Sequence, residues 1–159
     1  PYSGSEGTGT AYAPYTVTFT VIENGIEPPN ITELTLINAA ADVPFESFAV
    51  LLDGMEINLA KLATPNFTIS ANTNGSVGSV WFTGLSNRVE NALPFTLYGD
   101  NAGDYWGKEL LEGSYSIMAI PYSGRDASGI SGPPLTINFT VINDPPLNEP
   151  TAFLPPEFR

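Results

Sequence analysis

Catalysis at neutral pH most often rests on an imidazole or a thiolate, and this sequence has no His and no Cys among its 159 residues. Common nucleophile–base pairs and most zinc sites are thereby excluded. A pair of carboxylates can cleave a glycoside when one is held protonated, yet no Asp or Glu pair stands in a setting that would raise one pKa. The Gly-rich stretch SGSEGTGT at 3–10 lacks the lysine and the strand-to-helix context of a phosphate loop, and reads as surface turns. The expectation is a protein that is not an enzyme.

The residues with modification chemistry are four Asn-x-Ser/Thr sequons at Asn30, Asn66, Asn74 and Asn138. Glycan transfer needs an exposed amide. Asn138 stands opposite the Ile137/Phe139 face and Asn66 opposite the Phe67/Ile69 face; Asn74 falls in a turn and Asn30 in a linker, so all four are expected to be accessible. The acidic loop GDNAGDYWG places Asp100, Asn101 and Asp104 together, where a structural Ca²⁺ would be the only cofactor to consider. Its spacing matches no EF-hand, and solvated turn residues are the plainer reading. Trp81, Tyr98, Tyr105 and Trp106 are the candidates for a sugar-stacking platform, although an aromatic within a strand, as Trp81 is, more often packs.

Seventeen acids face five bases, a net charge of −12. Such a chain repels a phosphate backbone and anionic lipid, so nucleic acid is not an expected partner. No apolar run approaches the roughly 20 residues of a membrane span. With 42% hydrophobic and 14% charged residues the chain should fold despite 15 Pro and 15 Gly. It begins with Pro1 rather than Met, which implies that processing or the choice of fragment set its start.

An internal repeat organises the rest. Residues 1–23 align without a gap onto 121–143 at an offset of 120, with 11 of 23 positions identical, among them Pro1/Pro121, Gly9/Gly129, Phe19/Phe139 and Val21/Val141. The first 23 residues therefore read as the closing loop and last strand of a preceding copy of one domain. They are followed by a Pro-rich linker (24–30), one whole unit (31–143) and a Pro-rich tail (144–159).

Within the unit the apolar period is two. It predicts strands at 31–38, 47–52, 55–59, 66–71, 79–83, 94–98, 114–120 and 135–142, with an Asp53-Gly54 hairpin turn between the second and third. The only helical candidate is a turn or two at 104–111. The fold class expected is all-β: an immunoglobulin-like antiparallel β-sandwich of about 7–8 strands, with an additional N-terminal strand and a Pro-rich C-terminal tail.

That additional strand presents Tyr15, Val17, Phe19 and Val21 on one face. At about 1.5–3 kcal/mol per buried large side chain it needs a sheet to join. It can finish a preceding domain of the same polypeptide, add to a neighbouring molecule, or lie on its own sheet; the first two give a linear array. The Pro-rich flanks favour polyproline II and act as spacers.

The stretches LTLINAAADVPF, LLDGMEINLAKL, TISANTNGSVGSVWF, RVENALPFTLYGD and GSYSIMAIPYSG resemble the immunoglobulin-like or cadherin-like β-sandwich repeats of large secreted surface or fibre proteins, including those appended to marine bacterial polysaccharidases. The resemblance spans about residues 31–143. It implies an extracellular or cell-surface location and an adhesive or structural role, with no catalytic residues. Sequence and resemblance together point to a unit of a glycosylated filament or stalk whose partners are copies of itself and covalent glycans. The alternative is a carbohydrate-binding or adhesin module of a secreted multidomain protein.

Overall fold

The structure, a computed structural model, describes residues 5–7, 9–10, 17–18, 27–46 and 48–145. Among these the chain forms twelve strands: β1 (Asn30–Asn38), β2 (Val43–Pro44), β3 (Met55–Asn58), β4 (Asn66–Asn74), β5 (Ser79–Thr83), β6 (Arg88–Glu90), β7 (Phe95–Thr96), β8 (Asp100–Asn101), β9 (Asp104–Tyr105), β10 (Lys108–Glu109), β11 (Gly113–Tyr122) and β12 (Leu135–Ile142). Short 3₁₀ turns lie at Ser5–Gly7 and Leu59–Lys61. The fold is all-β. No helix among the described residues is long and apolar enough to cross a membrane.

One sheet runs β10–β4–β1–β2 with β7 also on β4; a second runs β3–β12–β11–β5–β6; β8 and β9 form a separate hairpin. Both large sheets feed one core. Leu34, Leu36, Phe67, Ile69 and Phe95 enter it from the first, and Ile57, Val80, Phe82, Ile117, Ile137, Phe139 and Val141 from the second. The long strands are rich in β-branched and aromatic residues, which suit a pleated, half-buried surface.

Strand β12 shows the alternation its sequence implies: Ile137, Phe139 and Val141 are buried while Thr136, Asn138 and Thr140 are exposed. Strand β4 departs from it. Phe67 and Ile69 face the core, but Thr68 and Ser70 on the other side are buried as well. The expectation that the side of β4 opposite Phe67/Ile69 meets water is corrected: Thr68 and Ser70 are 0% and 7% exposed, and Asp42, Pro44, Ala49, Val50 and Tyr105 gather with Ser70 on that outer face.

Three further expectations are corrected. The helical candidate 104–111 instead holds two short strands, β9 and β10: Lys108 and Glu109 pair with Phe67 and Asn66, and the Tyr105 N–H donates to the Asp42 carboxylate at 2.8 Å. Pairing to β4 satisfies backbone groups that an isolated helical turn would leave open. Asp53-Gly54 does not close a hairpin. Val50 bridges Thr35 in the first sheet, while β3 runs parallel to β12 in the second, so the chain changes sheets at 52–54. For the same reason the pairing is not wholly antiparallel: β3–β12 is the parallel exception among the described strand pairs. The segments at 47–52 and 94–98 shrink to the Val50 bridge and to β7; Ser47 lies outside the described residues.

Candidate assembly site

The repeated strand marks the site, and the copy at 135–142 shows what such a strand needs. It lies inside its sheet rather than at an edge. Its one side pairs antiparallel with β11, with Thr140 opposite Ser114 and Phe139 opposite Tyr115; its other side pairs parallel with β3, with Thr140 beside Glu56 and Phe139 beside Met55. From Asn138 onward β12 is thereby flanked on both sides, the Asn138 carbonyl accepting from the Gly54 N–H at 2.7 Å where β3 begins. Phe139 is 2% exposed and stacks on Tyr115 with ring centroids 5.4 Å apart.

Asp53 adds a side-chain tie. Its carboxylate accepts from the Asn138 N–H at 2.8 Å and from the Asn138 amide at 3.0 Å. These bonds hold the Asp53 carboxyl below its ordinary value, the backbone bond contributing most.

The chain comes in and goes out at opposite ends of β12. On the incoming side the carbonyls of Glu27 and Pro28 lie over Gly75, where a Cβ would come within 3.1 and 2.7 Å of them, and the Pro29 carbonyl lies against Gly132, just before β12 starts. Neither glycine can take a side chain unless the incoming segment moves. On the outgoing side Asn58, only 8% exposed, clamps the backbone just past the end of β12. Its amide donates to the Asp144 carbonyl at 2.8 Å, and its side-chain oxygen accepts from the Asp144 N–H at 3.1 Å. Eight residues of strand separate the two ends, about 26 Å.

In the first copy, Val17 and Thr18 are described and both are exposed, Val17 at 66%. Tyr15, Phe19 and Val21 lie outside the described residues. Two described residues ahead of them share the left-handed backbone of their twins: Glu6 at φ 53° matches Asp126 at 56°, and Gly9 at 89° matches Gly129 at 79°. In the second copy the turn is closed by the Gly124 N–H donating to the Ser128 carbonyl at 3.0 Å and the Ser123 N–H to the Ile130 carbonyl at 2.9 Å.

The four sequons are not equivalent. Asn74 is exposed at the end of β4; Asn30 is its cross-strand partner and half-buried. Asn138 is exposed with its amide on Asp53, whereas Asn66 is half-buried with its side-chain oxygen against Gly107. At the calcium candidates, the Asp100 carboxylate accepts from the Gly103 N–H at 2.8 Å, and Asn101 pairs with Asp104 across the β8–β9 hairpin. No group of three His, Cys, Asp or Glu suited to a metal occurs among the described residues.

The aromatic candidates separate. Tyr105 lies by Asp42 on the outer face of the first sheet, while Tyr98 and Trp106 line a hollow of about 330 Å³ with Asn87, Arg88 and Lys108. Trp81 is tied to that lining, its Nε1 donating to the Asn87 side-chain Oδ1 at 2.8 Å. The Lys108 ammonium sits 4.7 Å above the Tyr98 ring, and Arg88 is bound to Glu90. Burial pushes the Tyr98 phenol up, with Tyr115 adding to it. Sequence composition named the aromatics; the two cations beside them arrive through β6 and β10, short strands that no periodicity announces. Comparison with known proteins finds no family model, no curated protein and no solved structure that matches this chain.

Proposed function

We propose that this protein is a structural repeat unit of an extracellular, glycosylated filament or stalk, with an immunoglobulin-like sandwich as its body, assembled head to tail by strand complementation or tandem repetition. One observation carries the reading: a unit whose chain comes in and goes out at opposite ends of its last strand extends a line when copied, and that strand recurs ahead of it. Such a contact does not close on itself, so it builds a linear array. The parallel β3–β12 pair, reached by a strand that changes sheets, supports the sandwich assignment. Glycans on Asn74 and Asn138 would cover exposed strand surface and keep filaments from bundling; glycopeptide mass spectrometry is expected to find Asn74 occupied most and Asn66 least.

Electron microscopy of the native material tests this function. Filaments of one width, decorated by an antibody to residues 31–143, are expected; dispersed particles would sink it.

A second reading is favoured by the hollow at Tyr98, Trp106 and Lys108. In a chain of net charge −12 it gathers an exposed indole and two cations, a fit for an acidic sugar ring. Binding on a glycan array that is lost in Trp106→Ala would establish this adhesin reading beside the first.

A further inference from the structure

The place of β12 inside its sheet limits where its sequence twin can go. A strand built like β12 needs an antiparallel neighbour on one side and a parallel neighbour on the other, so adding it to the edge of a finished unit would satisfy only one row of its backbone groups. Each unit offers one such slot, and β12 fills this one. If identical chains exchanged strands, 14–22 of one chain would have to expel 135–142 of another, and one apolar strand per chain would remain unpaired. Exchange therefore gains nothing. The count closes only when 14–22 enters a unit that contributes no β12 of its own.

The first copy carries what that slot requires. Phe19 and Val21 repeat Phe139 and Val141, Val17 stands for Ile137, and Thr16 and Thr20 repeat the exposed Thr136 and Thr140. Thr18 replaces Asn138 but keeps the N–H that binds Asp53. One difference is informative. Tyr12 stands where Gly132 lies against Pro29, so the segment leading into that other unit cannot cross the loop as Pro29 does here.

We propose, resting on the array reading above, that residues 14–22 close a separate unit by occupying its slot between a β11-like and a β3-like strand, and that successive units are joined covalently through a two-residue junction, Gly25-Ile26. The second half follows from the two ends of the present unit. Asp144 is clamped by Asn58 after β12, and Asn24 is its counterpart 120 residues earlier. Residues 27–29 already lie on the incoming end of this unit. Three Cα steps separate Asn24 from Glu27, roughly 10 Å at most. Neighbouring units thus abut, and the hollow at the outgoing end, lined by Leu59, Leu110, Leu111 and Glu112, faces the next unit.

The test is a fusion that places residues 30–120 directly before Pro1 of the full chain, so that the added stretch can close only by taking 14–22. Starting at residue 30 omits a second Pro29 that Tyr12 would meet. Calorimetry should show the unfolding enthalpy roughly doubled. Phe19→Asp should remove only the first unit and Phe139→Asp only the second. Random-coil hydrogen exchange across the added stretch, with the enthalpy unchanged, would overturn the slot assignment. The two units should also tumble as one body in NMR relaxation until Gly-Ser-Gly-Ser is inserted between Gly25 and Ile26; independent tumbling without the insertion would overturn the junction. A doubled enthalpy with no filaments in native material would leave the slot standing and sink the array, and the reverse pair of results would do the opposite.

Discussion

Val17 and Ile137 occupy the same place in two copies of one sequence, yet Val17 is 66% exposed and Ile137 is 6% exposed. Both sit in an alternating Thr-rich strand pattern, and both follow a loop with two matching left-handed residues. Local preference is therefore shared, and the environment is what differs. Ile137 pairs with Ile117 of β11 and has the opposite sheet beneath it. The lesson is that the pattern states a demand for a slot, and only a partner sheet meets it.

The sharpest way to break this comparison is to truncate both residues. Ile137→Ala should cost about 2–5 kcal/mol of folding stability, and Val17→Ala within about 0.5 kcal/mol, by urea denaturation of the isolated chain. Equal losses would mean that the first copy packs on this unit. Next in size is the outgoing clamp. Asn58→Ala strips the Asp144 carbonyl and N–H of their partner and should cost about 1–3 kcal/mol, with amide exchange speeding first near residue 144.

Gly129→Ala forces a side chain onto a backbone at φ 79° and should cost about 1–2 kcal/mol, whereas Gly9→Ala, at φ 89° in the other copy, should leave the melting temperature of the isolated chain unchanged.

The smallest effect concerns acid. Asp53 is charged more readily in the folded state than in the unfolded one, because the Asn138 N–H and amide donate to it. Its contribution is present above the ordinary carboxyl pKa and is lost as pH falls through the lower folded value. Asp53→Asn should flatten the acid limb of the stability–pH profile, and Asn138→Thr, which copies Thr18, should flatten it only in part. A limb unchanged in Asp53→Asn would discount the tie.

Much of the second sheet was legible in advance. The segments 79–83, 114–120 and 135–142 alternate cleanly and become β5, β11 and β12 within a residue or two. The first sheet was harder to read, since Thr68 and Ser70 look like a wet face and are both buried, Ser70 beside Asp42, Pro44, Val50 and Tyr105, which are distant in sequence. The 104–111 stretch failed for a related reason: its backbone is satisfied by β4 and Asp42, distant in sequence.

Of the candidate residues, the sequons, the aromatics and the repeated 15–21 pattern could be named from type and spacing. The cations beside Tyr98 and Trp106, the Asp53–Asn138 tie and the Asn58 clamp could not, because each joins residues that only folding brings together.

The sequence by itself determined the all-β class, the period-two strands, the lack of His and Cys chemistry and the recurrence of one strand, because these follow from residue type and local order. Only the tertiary structure decided that the chain changes sheets at 52–54, that β12 lies between parallel and antiparallel neighbours, and that the chain comes in and goes out at opposite ends. Those are matters of which strands meet. A period of two says which face of a strand is apolar but carries no information on its neighbours.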